Sequence, residues 1–355
     1  MRALAAGRSE WSGVCNDDVA YVTVSIGSGL VDSMYGNCQF PIKAYLEKRG
    51  EAFEQNSLLK NLFRMESSKH WAERYTGETA MDNFQMVGEG GAYPTTGFEE
   101  AYPKDIANET WKNQFAVTRE LVEDGRIGTM KQRANKLITS YDRTREMFGR
   151  YLYAGGLYGT AVKIPEAGKR FDCSTADGKA LFATDHPCKV KGGDQCNLFK
   201  GDLTAENLGK LETRMQNITG DNGEPLQVSP DTIWIPNDAA MKKKAFEAIG
   251  SDKNPSDASN AFNYQYGRWN VLVDPYLSWV MKILGKTDVP WMLLDSKFLE
   301  NNDGAIFQDR VKLDVRSVLD ENNDNNLWKG FARFSGGFAD WRFVAAGNMN
   351  SGSNL

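Results

Sequence analysis

The chain has 355 residues, 41% hydrophobic and 11% aromatic, which is enough apolar material for two or three packed modules. A net charge of -5 and a pI near 5.4 argue against a dedicated nucleic-acid binder, whose domain pI would usually exceed about 9. No stretch approaches the ~20 apolar residues of a membrane span and the opening MRALAAGRSEWSG is too weakly apolar for a leader, so a protein that is neither secreted nor membrane-bound is expected. The five cysteines (Cys15, Cys38, Cys173, Cys188, Cys196) are odd in number and irregularly spaced, which fits a reduced cytosolic state. The sequons at Asn108 and Asn217 are then coincidental.

In chain order, residues 18–30 (DVAYVTVSIGSGL) alternate β-branched residues into glycines and predict a short strand and turn. Residues 41–69 read as two helical pieces whose Tyr45, Phe53, Leu58, Leu59 and Phe63 are spaced too raggedly for one buried face. Such an arm needs a partner surface, either the rest of the chain or another copy of it. From 78 to 117, Met81, Phe84, Met86 and Val87 lead into the tip GEGGAYPTTG (88–97), and Phe98, Tyr102, Ile106, Trp111, Phe115 and Val117 lead back. The pattern predicts a long two-stranded hairpin. No helix start and no Lys-Ser/Thr pair follows the glycines, which argues against a phosphate loop. Because an isolated two-stranded ribbon is marginal in water, it has to lie on something, and nothing local is large enough to hold it.

Residues 127–152 form the organising stretch. Met130, Ala134, Leu137, Tyr141, Phe148 and Leu152 recur at steps of four, three, four, seven and four, the stripe of a 3.6-residue helix. The spacing predicts one helix of roughly 25 residues, about 38 Å long, ending at Gly155-Gly156. Its other faces carry Lys131, Arg133, Lys136, Arg143, Arg145 and Arg150 against Asp142 and Glu146, so a strut with a basic face toward something acidic is expected. Beyond it, 171–196 is loop-like. Residues 203–218 form a helix entered through Thr204, TIWIP (232–236) is a buried strand, 238–249 a helix, and 269–273 and 291–294 further strands. This alternation makes an α/β module of roughly 120 residues. From 305 onward, alternation around the polar turn DENNDNN predicts long antiparallel strands that cover the long helix.

The order of arm, acidic hairpin and long helix, with the strings LFATDHP (181–187), LTAENLGKLETRM, GEPLQVSPDTIWIPNDA (223–239), DPYLS (274–278) and WMLLD (291–295), resembles the major capsid proteins of tailed bacteriophages, nearest to the branch of the phage Mu major head subunit. The resemblance covers nearly the whole chain. It implies an α+β chain with the Hong Kong ninety-seven capsid fold: an N-terminal arm (1–77), an extended loop (78–118), a peripheral domain with its spine helix (119–180), an axial domain (181–299) and return strands of the peripheral domain (300–355). It also implies a virion protein assembled in the host bacterial cytoplasm that builds pentamers and hexamers around double-stranded DNA, with portal, separate scaffolding and decoration proteins as partners. Only about 75 residues precede the hairpin, too few for an N-terminal scaffolding segment, and the tip has no lysine for a cross-link, with Lys104 and Lys112 on the returning strand. The net charge leads to weak, non-specific contact with the genome. An encapsulin-like shell that packages enzymes shares the fold and is the nearest alternative.

Other chemistries were weighed on their residues. His186, beside Asp185 and Cys188, invites a hydrolase reading, but Asp-His-Pro is also good turn chemistry. Cys173, His186, Cys188 and Cys196 lack the paired spacing of a zinc site. The turn at 320–326 lacks the bidentate Glu of a calcium loop, and Lys242-Lys243-Lys244 reads as a solvated helix face. No catalytic residue, cofactor or metal is expected. Between 78 and 112 seven acidic residues stand against two lysines, so the acidic hairpin of one subunit is expected to lie across the basic helix face of its neighbour. The residues expected at that contact are Glu89, Glu99, Glu100, Phe98, Tyr102 and Trp111 on the hairpin, and Arg143 and Arg145 on the helix.

Overall fold

The computed structural model describes residues 22–26, 42–43, 45–46, 48, 57–78, 84–95, 100–188, 193–221, 223–250, 262–301, 304–320 and 323–355. The first strand, β1 (Val22–Ile26), pairs in parallel with residues 313–317. A single helical turn, α1 (Leu59–Leu62), leads into β2 (Arg64–Ser67), which pairs in parallel with residues 306–309. The first part of the arm thus ends as strands on the edge of a C-terminal strand. Next come β3 (Ala72–Glu78) and β4 (Glu100–Ala107), an antiparallel ribbon with Ala72 opposite Ala107 and an irregularity between Thr76 and Glu78. After the single residue Asn108, β5 (Glu109–Val117) joins a different sheet, and α2 (Arg119–Glu123) precedes α3 (Ile127–Gly156), a helix of 30 residues.

A short hairpin of β6 (Ala161–Ile164) and β7 (Lys169–Asp172) follows. In α4 (Ala205–Gln216), the Thr204 side chain caps the first turn by accepting the Asn207 N–H at 3.1 Å. The strand β8 (Thr232–Pro236) runs into α5 (Ala239–Ile249), which Asp238 caps through the Met241 N–H. The strand β9 (Asn270–Asp274) runs directly into α6 (Pro275–Ile283), where Asp274 accepts from the N–H groups of Tyr276 and Leu277 and Pro275 occupies the first helical position. The remaining elements are β10 (Trp291–Leu294), α7 (Ser296–Asn301), β11 (Ala305–Asp320), β12 (Asn325–Phe338) and β13 (Val344–Gly347). One sheet runs β1-β11-β12-β5 with β2 also on β11; another runs β13-β10-β8-β9, with β8 and β9 parallel and β10 antiparallel to both its neighbours.

The chain divides into two compact units. In the smaller (1–55, 113–138, 312–330), Phe115 stacks on Trp328 at 6.1 Å, and Gly330 admits Leu313 and Leu137 so closely that a Cβ there would lie 3.3 and 3.6 Å from them. The larger (56–112, 139–311, 331–355) has an aromatic core in which Phe148 meets Phe307, Phe334 and Phe171 edge-on, and Tyr153 meets Phe63, Phe338 and Trp234 at 4.9 to 5.1 Å. Gly149 is a helical position that only glycine fits: a Cβ would stand 2.6 Å from Leu59 and 2.9 Å from Phe63. The short α1 therefore docks into a notch in α3.

Three expectations change. The hairpin does not run from 78 to 117: its strands are 72–78 and 100–107. The turn between β4 and β5 is pinned by buried Asn108, which donates to the Ser68 hydroxyl (2.7 Å) and the His70 carbonyl (2.9 Å) and accepts from Gln308 (3.0 Å). The ribbon also has local support. Lys104, 7% exposed, donates to Asp172 (2.7 Å) and to the carbonyl and hydroxyl of Ser174 (2.7 and 2.9 Å), and Ile106 is buried against Gly337. Burial pushes the Asp172 carboxyl up, but Lys104 and the two bonds from Ser174 outweigh it and leave it below the usual carboxylate range. In the arm, the described residues 42–43, 45–46 and 48 are helical, but 64–67 is a strand.

Candidate assembly surface

Among the described residues, the most exposed large apolar side chains lie in the connection between β3 and β4. Its described residues, 84–95, are all exposed, and Phe84, Met86 and Tyr93 stand 109, 103 and 96% open. Solitary exposed apolar residues are ordinary, but three within ten residues make this loop a candidate interaction site. Glu89 lies in the same loop. Of the other expected hairpin contacts, Phe98 and Glu99 lie outside the described residues, and so does the side chain of Glu100, although its backbone belongs to β4. Tyr102 is half-buried on β4.

Trp111 is not on the hairpin. It belongs to β5, stacks on Phe334 at 5.1 Å and nearly parallel, and donates its indole N–H to the Phe334 carbonyl at 3.3 Å. Tyr102, Ile106, Trp111, Phe115 and Val117 recur across Asn108 with no turn-forming Gly or Pro after Pro103, which is why the two strands read as one.

The basic helix face needs a larger correction. Arg145 is 4% exposed and grips Asp309 with both nitrogens at 2.7 and 2.8 Å; it also donates to the Tyr141 hydroxyl and lies 4.9 Å above the Phe307 ring. Arg150 is 0% exposed: Nε donates to Asp274 at 2.7 Å and Nη1 pairs with Glu146, which also accepts from the Ser57 hydroxyl. Asp142 is buried as well. These groups hold the subunit together and cannot meet a neighbour. The sequence carried the signal, because the seven-residue step from Tyr141 to Phe148 skips the stripe position that Arg145 occupies.

Arg143 remains exposed, beside a groove of about 370 Å³ lined by Trp111, Met147, Tyr151, Ile164 and Trp279. Trp279 is 57% exposed there. Burial, reinforced by the nearby Glu166 carboxylate, pushes the Tyr151 hydroxyl up to about 12, so it stays neutral. The groove is thus a largely apolar trough with the Arg143 cation and the Glu166 carboxylate in its lining. In the smaller unit, Lys136 is exposed, Lys131 is half-buried and Arg133 donates to the Ala116 carbonyl.

The hydrolase reading does not survive the geometry of His186. The ring is 0% exposed, Nδ1 lies 2.7 Å from Asp177 and Nε2 3.2 Å from Asn197, so both nitrogens are engaged and neither is open to a substrate. Cys173 is buried, Cys188 and Cys196 are half-buried, and among the described residues no three His, Cys, Asp or Glu side chains are placed to hold a metal. In the lysine run, Lys244 pairs with Asp202 and Lys243 with Glu247. Among the described residues no helix is long and apolar enough to cross a membrane.

No curated protein matches the sequence. Among solved structures, the chain is similar to the capsid of the cyanophage P-SCSP1u, with a TM-score of 0.50 and 7% identity over 82% of this chain and 87% of that one. It is also similar to a structure from Mycobacterium phage Patience, with a TM-score of 0.48 and 11% identity over 87% and 88%. At such identities the likeness is one of fold, the Hong Kong ninety-seven architecture. The family model described as phage capsid protein matches residues 101–347, more than half of the length, and the chain therefore belongs to the phage capsid protein family.

Proposed function

We propose that this tailed-phage capsid protein closes its shell by laying the 84–95 loop of one subunit into the trough beside α3 of the next. The observation that carries the reading is the exposure of Phe84, Met86 and Tyr93. Two aromatic side chains bury roughly 150–250 Å² each. At about 25 cal/mol per Å² each offers roughly 4–6 kcal/mol when covered, before ordering and association costs. Surface ion pairs offer only about 0–1 kcal/mol, so charge sets register and encounter rate while apolar burial holds. Because Arg145 and Arg150 are committed inside the subunit, the helix offers Arg143 to the acidic loop. The contact is head-to-tail, and repeated it closes rings of five and six.

In this reading residues 72–107 act as the extended loop, α3 as the spine helix, and 181–299 as the axial domain meeting its copies at ring centres. The chain is a structural protein, and its contact with packaged double-stranded DNA is weak; portal, scaffolding and decoration proteins are its further partners. The strings LFATDHP and GEPLQVSPDTIWIPNDA support a kinship with the phage Mu major head subunit. The encapsulin-like alternative has no support from the family match.

Electron microscopy of purified protein carrying Glu99→Lys and Glu100→Lys tests the electrostatic part. Rings and shells should form more slowly than with the unaltered protein at low salt, and Arg143→Glu should restore part of the rate. Assembly at the unaltered rate sinks the electrostatic part, and a stable monomer from the unaltered protein sinks the whole reading.

A further inference from the structure

Residues 174–188 and 193–199 enclose a polar cluster that the assembly surface does not use. Asn197 fixes its own orientation there: its amide nitrogen donates to the carbonyls of Leu181 (2.8 Å) and Val344 (3.1 Å), and its oxygen accepts the Ala183 N–H (2.9 Å). The atom facing Nε2 of His186 at 3.2 Å is therefore an acceptor. On the other side of the ring, Nδ1 stands 2.7 Å from one oxygen of Asp177, whose other oxygen accepts from the Thr175 hydroxyl and the Lys179 N–H. Burial pushes the Asp177 carboxyl up, but the bonds from His186, Thr175 and Lys179 outweigh it and hold it below the usual carboxylate range, hence ionised.

A neutral imidazole has one N–H and can serve only one of these two acceptors, whereas the imidazolium serves both. The ring lies 4.2 Å from the Trp341 indole and within 10° of parallel, an arrangement in which the aromatic face stabilises a cation. The other charges around the ring are largely paired with each other. Lys179 pairs with Asp185, and Arg342, 5.3 Å over the Trp341 ring, pairs with Asp221 and Asp340; Asp194 adds a carboxylate near Lys179.

We propose that His186 is carried as a buried imidazolium, ion-paired with Asp177 and backed by Trp341, and that this cation latches the 174–199 segment to β13 through Asn197.

The chain has two histidines, and His70 is exposed, which supplies an internal reference. Solid-state NMR of the assembled protein labelled with ¹⁵N-histidine reads both rings at pH 7.5, where an ordinary histidine with a pKa of about 6.5 is roughly one-tenth protonated. His186 is expected to show two protonated nitrogens. One protonated and one bare nitrogen overturns the proposal. In Asp177→Asn, which keeps an oxygen acceptor and removes the charge, His186 is expected to revert to the neutral pattern, and proteolysis within the 174–199 segment is expected to rise at least tenfold. A His186 that stays doubly protonated in that variant overturns the ion pair. If the variant does not fold, the spectrum of the unaltered protein decides alone.

Discussion

The sheet of β8, β10 and β13 and the 84–95 loop spend the same kinds of residue in opposite ways. Ile233, Trp234 and Ile235, Trp291 to Leu294, and Val344 to Ala346 are at most 1% exposed. Phe84, Met86 and Tyr93 touch almost nothing. The sheet obtains its stability from contacts inside the subunit, so its sequence answers to local packing density. The apolar side chains of the loop bury almost nothing within the subunit, and in the proposed contact they act only when a second molecule covers them. A shell protein needs both: a subunit stable before it meets its neighbours, and a surface satisfied only by them.

The contrast predicts that core changes are felt in the subunit and loop changes only in the assembly. The largest effect is expected for Arg150→Ala, which leaves the Asp274 and Glu146 carboxylates buried without their cation. A loss of about 3–5 kcal/mol should appear as a lowered urea midpoint of the unassembled subunit. Gly149→Ala forces a Cβ against Leu59 and Phe63 and should cost about 1–3 kcal/mol, read in the same titration. The pH dependence follows from Asp177, whose carboxyl titrates lower in the folded state than in the unfolded one. The stability it contributes is fully present above about pH 4, the unfolded value, and is lost as pH falls through the folded value. Asp177→Asn should flatten that part of the acid limb. The smallest effect on the subunit belongs to Phe84→Ser combined with Tyr93→Ser: its urea midpoint should move by less than about 0.5 kcal/mol equivalent, while shells vanish from electron micrographs. Intact shells from that variant would erase the distinction between the two regions.

Periodicity in the sequence located most elements of the module. TIWIP and WMLL lie where uninterrupted apolar runs placed them, and the caps Thr204 and Asp238 act as their residue types suggest. The long helix was legible as a stripe, although it continues through Gly155-Gly156 because both glycines pack where Cys173, Val162 and Leu181 leave no room for a Cβ. Helix α6 was passed over, even though Asp274-Pro275 is an N-cap followed by proline at the first helical position. What composition could not give was which charges are spent internally. Counting arginines on a helix treats Arg143, Arg145 and Arg150 alike, whereas tertiary partners 124 and 164 residues away separate them. The parallel pairing of β2 was invisible for the same reason, since a four-residue strand with alternating exposure says nothing about a partner so distant in sequence.

That pairing also has a consequence for biosynthesis. Arg64 lies opposite Ile306, so about 240 residues must leave the ribosome before the two can meet. At ~5–20 residues per second this is a wait of roughly 10 to 50 s. Throughout that interval Phe63, which ends up 1% exposed, lacks the Phe307 and Phe338 rings that pack on it. A nascent subunit therefore carries β2 without its partner strand for most of its synthesis, so translation speed, as well as sequence, bears on its folding.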